Sequence, residues 1–182
     1  MLLTFLNLAA RRKEVFNLLL SDLDFNNNRI RLWTQKREGG NTECDWLPMT
    51  SELRSGLLTW LEERLNQPTE DKEHVFLCLD QFSFCGEYYG KPFKHRQHLM
   101  AKLCTKAKVK HFGFHAIRHL TASILYKKGY PVSIIQAILR HKSPNTTTRY
   151  LRTLGVEDTR SALEDGLKMP AQVIEFPKVS NY

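Results

Sequence analysis

The sequence predicts an α+β domain, mostly helical, with a small antiparallel β-hairpin or sheet on one side. Three observations carry that expectation. Apolar residues recur at helical spacing through most of the chain, one pair of short alternating segments is separated by a Gly-Gly turn, and no internal repeat or low-complexity stretch interrupts them. At 182 residues with 42% hydrophobic side chains, the chain is long enough to build one domain with a substantial core.

Taken in order, Leu3, Leu6, Ala10, Val15, Leu18 and Leu19 follow a helical period that the charged run Arg11-Arg12-Lys13-Glu14 interrupts, so residues 2–20 read as a helix bent or broken at the arginines. Residues 21–28 are rich in Asp and Asn, which favour turns. Arg29-Ile30-Arg31-Leu32-Trp33 then alternates polar and apolar like a strand, Glu38-Gly39-Gly40-Asn41 supplies the turn, and Cys44-Asp45-Trp46-Leu47-Pro48 returns. Residues 50–65 read as a core-packing helix with Ser51 as cap and Leu53, Leu57, Leu58, Leu61 and Leu65 on one face. A polar connector, a short strand at 74–77 and a Gly- and aromatic-containing loop at 80–91 follow. Helices are expected at 93–108, 114–127 (ended by Gly129 and Pro131), 131–139, 145–151 and 156–167, with an extended tail from Met169.

Charge is distributed unevenly along this pattern. The net charge is +8, from 27 Lys+Arg and 19 Asp+Glu. Residues 91–152 hold fourteen of the bases, six of the seven histidines and no acid at all, leaving the rest of the chain with 13 bases, 19 acids and a net charge of −6. A long acid-free basic segment of ordinary hydrophobicity suits a face that meets a polyanion. No run approaches the ~18–20 apolar residues of a membrane span, and the apolar start at 1–12 is too short for a secretory signal and lacks its basic opening. The expected setting is therefore cytoplasmic, with neither a membrane nor a small molecule as partner. Cys44, Cys78, Cys85 and Cys104 form no C-x-x-C pair and read as reduced thiols. Cys78, Cys85, His95 and His98 could be drawn as a zinc site, but the spacing is loose for one, so no metal and no cofactor is expected.

Within the basic segment, His115, Arg118 and His119 stand at i, i+3 and i+4, on one helical face. On its own such a face is solvated or phosphate-binding. Its company changes the reading: Leu139-Arg140-His141 follows some twenty residues on, and Tyr150 lies nine residues after His141. A phenol of ordinary pKa about 10 is a poor nucleophile until neighbouring cations activate it, and here the neighbours are basic.

These residues resemble the tyrosine recombinases, or phage-type integrases. That family's catalytic domain carries a His-x-x-Arg box, a Leu-Gly-His box and a tyrosine nine residues beyond that histidine, as in His115-x-x-Arg118, Leu139-Arg140-His141 and Tyr150. Its earlier Thr-Gly-x-Arg-x-x-Glu stretch is similar to Leu8-Ala9-Ala10-Arg11-Arg12-Lys13-Glu14, which gives Arg11 as the site arginine, with Arg12 as the competing choice. Its hairpin lysine corresponds to Lys36 in Thr34-Gln35-Lys36-Arg37, with Arg37 adjacent. Five motifs in order span residues 8–150.

The resemblance implies the family's helical catalytic fold over residues 1–168, and a site-specific recombinase for DNA integration or excision of a mobile element. Tyr150 would attack a phosphodiester of double-stranded DNA to give a 3′-phosphotyrosyl intermediate, needing neither metal nor ATP. Arg11 and Arg118 would hold the nonbridging oxygens, Lys36 would protonate the leaving oxygen, His115 would accept a proton, and His141 would hydrogen-bond the phosphate. A homo-oligomer on DNA is implied, a tetramer in the recombining complex, with the isolated domain monomeric. It also implies that the chain is N-terminally shortened, without a core-binding domain. The tail at 169–182, with apolar Val173, Ile174 and Phe176, would dock in cis or on a neighbouring protomer.

Two places depart from the family's pattern: Leu8-Ala9 stands where it has Thr-Gly and Arg140 where it has glycine, so ordinary residues must make turns that glycine would ease. The rival readings are an inactive integrase remnant, a helix-turn-helix DNA-binding protein built on residues 129–150, and a type IB topoisomerase that shares the chemistry. The helix-turn-helix reading leaves Arg11, Lys36 and the His-x-x-Arg box without a use.

Overall fold

The computed structural model describes residues 1–35, 42–79, 88–93, 99–141 and 143–152, and of Gln35, Pro144, Arg149, Tyr150 and Arg152 only the backbone. The hairpin turn with Lys36, the expected helix at 156–167 and the tail lie outside the described residues.

The expected break at the arginines is present. Helix α1 (Leu2–Leu8) stops at Ala9, which adopts a left-handed conformation with φ 44° and ψ 39°, and α2 (Arg12–Phe16) restarts after Arg11. The Ala9 and Ala10 N–H groups both donate to the Phe5 carbonyl, closing the end of α1 in the manner that glycine ordinarily serves. Ala9 is fully buried, so its conformation and its methyl group are both fixed by the surroundings. An Ala9→Val chain should therefore lose about 3 kcal/mol or more, since a β-branched residue fits neither the left-handed backbone nor the space, whereas Ala9→Gly should stay within ~1 kcal/mol. Thermal melts of the two variants side by side check this.

Strands β1 (Leu23–Asp24), β2 (Arg29–Gln35) and β3 (Thr42–Pro48) form one antiparallel sheet in the order β1-β2-β3. The pairing Ile30↔Leu47 and Arg31↔Trp46 sets the faces, because alternate residues on a strand point to opposite sides. Ile30 and Leu32 are fully buried, while Trp33 and Trp46 face outward with Arg29 stacked 4.4 Å from the Trp46 ring centroid. Asp22, fully buried, accepts hydrogen bonds from Arg31 Nε (2.8 Å) and Trp33 Nε1 (3.0 Å) and so holds the outer layer in place.

Helix α3 (Ser51–Leu65) is capped by the hydroxyl of Thr50, which accepts the Leu53 N–H at 3.2 Å, so the cap lies one residue before the expected Ser51. The expected apolar face also needs correction: Leu53 and Leu57 are buried, but Leu58 and Leu65 are 37% and 77% exposed, and Arg64 takes the inward position. At about 100° per residue, Leu58 lies ~140° and Leu65 ~120° round the helix from Leu53. Gly56 permits close packing here, since a Cβ at that position would meet the Leu3 side chain at 2.9 Å.

The expected strand at 74–77 is instead extended backbone held by two isolated bridges, Leu19↔His74 and Leu77↔Pro92. Val75, Phe76 and Leu77 are buried along it. Helix α4 (Leu99–Lys106) begins later than the expected 93, and α5 (Phe114–Lys127), α6 (Val132–Leu139) and α7 (Pro144–Arg152) fall where the periodicity placed them. The main core gathers α1, α2, the sheet and α3 around Phe5, Phe16 and Phe114, with Phe5 and Phe114 ring centroids 4.6 Å apart. A second, smaller cluster of Ala9, Ala122, Ile135, Leu139 and Leu151 seats α6 and α7 on α5. Among the described residues no helix is long and apolar enough to cross a membrane.

Candidate active site

Helix ends build this site. The N-terminal half of α5 presents His115, Arg118 and His119, and the C-terminal ends of α1 and α6 close upon it. Arg118 points inward, 1% exposed, and donates from Nη1 to the Ala9 carbonyl and from Nη2 to the Leu139 carbonyl. Both acceptors lie at the ends of helices, where carbonyls lack intrahelical partners and the helix dipole is negative. These carbonyls are available because each helix ends in a left-handed residue. Arg140, with φ 51° and ψ 44°, ends α6 as Ala9 ends α1, and its N–H donates to Ala137 while that of His141 donates to Gln136. The two departures from glycine thus occupy the two turns that hold Arg118. These two bonds orient the guanidinium, and the carbonyls, being dipoles, bring no countercharge of their own to it.

Arg11 is the residue before α2, and its side chain is 39% exposed. Its Nη1 donates to Glu14 Oε1 and its backbone N–H to Oε2, both at 2.7 Å. Glu14 is buried and receives two further donors: the Thr34 hydroxyl on Oε1 at 2.7 Å and Arg140 Nη2 on Oε2 at 2.5 Å. Burial alone would raise the pKa of this carboxyl, but the Arg140 charge and the hydrogen bonds from Arg11 and Thr34 outweigh it, so Glu14 is held below its ordinary value and stays ionised.

His141 follows Arg140 directly, and its Nδ1 lies 3.0 Å from the hydroxyl of Thr147, a fully buried residue of α7. Burial first, then the charges of Arg118, Arg11, His115 and Arg140, push its pKa down to about 4. His115 is lowered by burial and by Arg118 and Arg11, and His119, whose ring meets that of His115 edge-on at 4.8 Å, by burial, His115 and Arg118. The structure therefore brings Arg11, His115, Arg118 and His141 within electrostatic reach of one another. Lys36 lies outside the described residues, and Tyr150 is described only as a helical backbone position in α7, three residues after Thr147. Cys85, His95 and His98 of the possible zinc set are also outside them, and the described residues hold no cluster suited to a metal ion.

Two parts of this arrangement were missed by sequence reasoning. Thr147 sits in the uniformly polar run Asn145-Thr146-Thr147-Thr148, where no pattern marks the inward threonine. The Arg140–Glu14 pair joins positions 126 residues apart and leaves no local trace.

Depressed histidine pKa values tie stability to pH. An unfolded histidine titrates near 6.5, whereas His141 in the folded chain stays neutral down to about 4, so below pH 6.5 the unfolded state binds more protons and stability falls with acidification. His115 and His119 act with the same sign. Between pH 7 and 5.5, above the carboxylate range, the melting temperature should drop, and His141→Gln should flatten that slope. An equal slope in both proteins would refute the assignment.

The model of the phage integrase family matches residues 1–155. A probable integrase/recombinase protein of Methanocaldococcus jannaschii is 26% identical over 142 residues, covering 78% of this chain and 41% of that protein. Two solved structures share the fold: XerA recombinase, with TM-score 0.63 and 23% identity over 87% of this chain and 54% of that one, and XerH site-specific recombinase bound to palindromic difH substrate in a post-cleavage complex, with TM-score 0.62 and 20% identity over 92% of this chain and 44% of that one. The chain thus spans about half the length of these relatives. With a family match across most of its length, on a fold that brings four of the six motif residues, Arg11, His115, Arg118 and His141, together, the chain belongs to the phage integrase family.

Proposed function

We propose that this chain is the catalytic domain of a site-specific DNA recombinase, which cleaves and rejoins double-stranded DNA through a 3′-phosphotyrosyl intermediate. The observation that carries the reading is that Arg118 is bonded to Ala9, two residues before Arg11, and to Leu139, two residues before His141, while His115 precedes it by three residues on α5, so that Arg11, His115, Arg118 and His141 meet from three separate parts of the chain. XerH, which shares the fold, is bound to palindromic difH substrate in a post-cleavage complex, and the Tn1549 transposon integrase, which also shares it, is in complex with circular intermediate DNA, which supports DNA as the partner here.

In this mechanism the Tyr150 oxygen attacks the scissile phosphorus and its proton passes to His115, which is neutral and able to accept it. The bond from phosphorus to the 5′-oxygen breaks, and Lys36 supplies the proton that leaves with that oxygen as a hydroxyl. Arg11 and Arg118 hold the nonbridging oxygens, since a planar guanidinium matches their geometry and takes up charge in the transition state. They do the work that metal ions do in other phosphoryl-transfer enzymes, and one phosphodiester replaces another, so ATP is not consumed. His141, uncharged and seated on Thr147, hydrogen-bonds the phosphate. Attack by a different 5′-hydroxyl reverses the steps and exchanges strands. Residues 1–168 form the catalytic unit, several copies act together on DNA in the cytoplasm, and the tail from 169 docks within or between protomers.

A nicked suicide duplex tests the reading. The expected product is a covalent protein–DNA adduct that survives denaturation and maps to the peptide containing Tyr150; its absence from the unaltered chain would leave a DNA-binding module. Duplex affinity should also fall with salt, by about a hundredfold between ~50 and ~200 mM for about four phosphate contacts, measured by fluorescence anisotropy.

A further inference from the structure

Arg140 has an environment that a mere replacement for glycine would not need. It occupies a left-handed position, which glycine would adopt without strain, yet carries a long charged side chain there. That side chain is 6% exposed and folds back toward the N-terminal part of the chain, with Nη2 donating to Glu14 at 2.5 Å and Nη1 to the Leu8 carbonyl at 3.4 Å. Its Nε lies 3.8 Å from the half-exposed carboxylate of Asp45 on β3. Glu14 in turn grips Arg11 through both the side chain and the backbone N–H. One carboxylate between two guanidiniums leaves a net positive charge, so Arg140 completes the grip on Glu14 without cancelling the charge that Arg11 presents.

We propose that Arg140 is a positioning residue for strand cleavage, acting through Glu14: the Arg140–Glu14–Arg11 chain fixes Arg11 and ties the end of α6, and with it His141 and the following helix α7, to the start of α2. The inference rests on the recombinase reading. Arg140 does not itself touch DNA in this proposal: unlike Arg118, whose two acceptors described above are carbonyls, it is ion-paired to the carboxylate of Glu14, and unlike Arg11, which shares that carboxylate, it is buried. Its effect should therefore appear in the cleavage rate and not in affinity.

The experiment measures single-turnover adduct formation on the nicked suicide duplex, and the dissociation constant for the same duplex, for the unaltered chain and for Arg140→Gly, Arg140→Asn and Arg140→Lys. Glycine and asparagine both accept the left-handed backbone but cannot reach Glu14. The expected result is a rate loss of about 30-fold or more for both, a dissociation constant within ~3-fold of the original, and partial rescue by lysine, which keeps the charge but not the fork. In a Glu14→Gln background, Arg140→Gly should cost less than ~3-fold more, because the two residues act as one unit. An Arg140→Gly chain that cleaves at the original rate or faster, or losses that simply multiply, would overturn the inference while leaving the recombinase reading intact. If glycine and asparagine variants fail to fold, as seen by circular dichroism, a folded lysine variant at full rate has the same force. No adduct from the unaltered chain would overturn the recombinase reading and this inference together.

Discussion

A Tyr150→Phe chain should form no detectable covalent adduct with nicked duplex, yet bind that duplex within ~3-fold of the unaltered protein. The substitution removes a single oxygen, and the proposed chemistry has no second atom to take its place. Water could attack the same phosphorus, but that would yield a nicked product without any protein attached. The rate of adduct formation should fall by about 10⁴-fold or more, equivalent to ~5.5 kcal/mol of activation free energy. Denaturing gels of radiolabelled substrate give that range directly. Adduct persisting in the variant and mapping to another tyrosine, such as Tyr126 or Tyr130 at the end of α5 and beyond, would dismiss Tyr150 as nucleophile.

The second large effect belongs to Arg118, and it combines stability with chemistry. In Arg118→Ala the carbonyls of Ala9 and Leu139, both at buried helix ends, lose their donor, and a cavity replaces a side chain that is 1% exposed. Each stranded carbonyl costs about 1–3 kcal/mol and the void adds to it, so a loss of roughly 3–6 kcal/mol is expected. Against a total stability of about 5–15 kcal/mol for a domain, that brings the chain close to unfolding. Arg118→Lys separates the two roles: an ammonium restores part of the hydrogen bonding and should recover about half of the lost stability, but it cannot contact two carbonyls and a phosphate in one plane, so adduct formation should remain at least ~100-fold down. Denaturant titration and the suicide substrate together read the two losses. A lysine variant that cleaves normally would show that Arg118 serves only to hold the helix ends.

The parts of the fold that were legible in the sequence share a physical reason. Where apolar spacing and a stop signal agree, as in α5 between Gly113 and Gly129 or across the hairpin strands, local preference and tertiary packing select the same element. Helix α3 shows the limit: five leucines suggested one face, but burial follows the helical angle, and Arg64 displaced two of them by reaching the Asp71 carbonyl at 3.0 Å. In the site, motif order singled out Arg11, His115, Arg118 and His141, and the turns lacking glycine, because spacing along the chain records them. What lay beyond reach was what joins distant positions. Nothing near Glu14 announces that Arg140 will complete its coordination, nor does the polar run in α7 show that Thr147 carries His141.

The division of the interior into a main core and a small second cluster bears on when the enzyme is assembled. Among the described residues, helices α6 and α7 are seated by the buried Ala9, Ala122, Ile135, Leu139 and Leu151, a smaller set than the aromatic-rich core under α1, α2 and the sheet. Less buried area means a lower free energy of opening, so this pair should detach in sub-global fluctuations that leave the rest folded, and amides in α7 should exchange with solvent faster than those in β2 or α3. Tyr150, the proposed nucleophile, would then reside on an element released more readily than β2 or α3. On the proposed mechanism its arrival beside the arginines would be an equilibrium that bound DNA can draw toward closure, so that a chain alone in solution would spend part of its time disarmed.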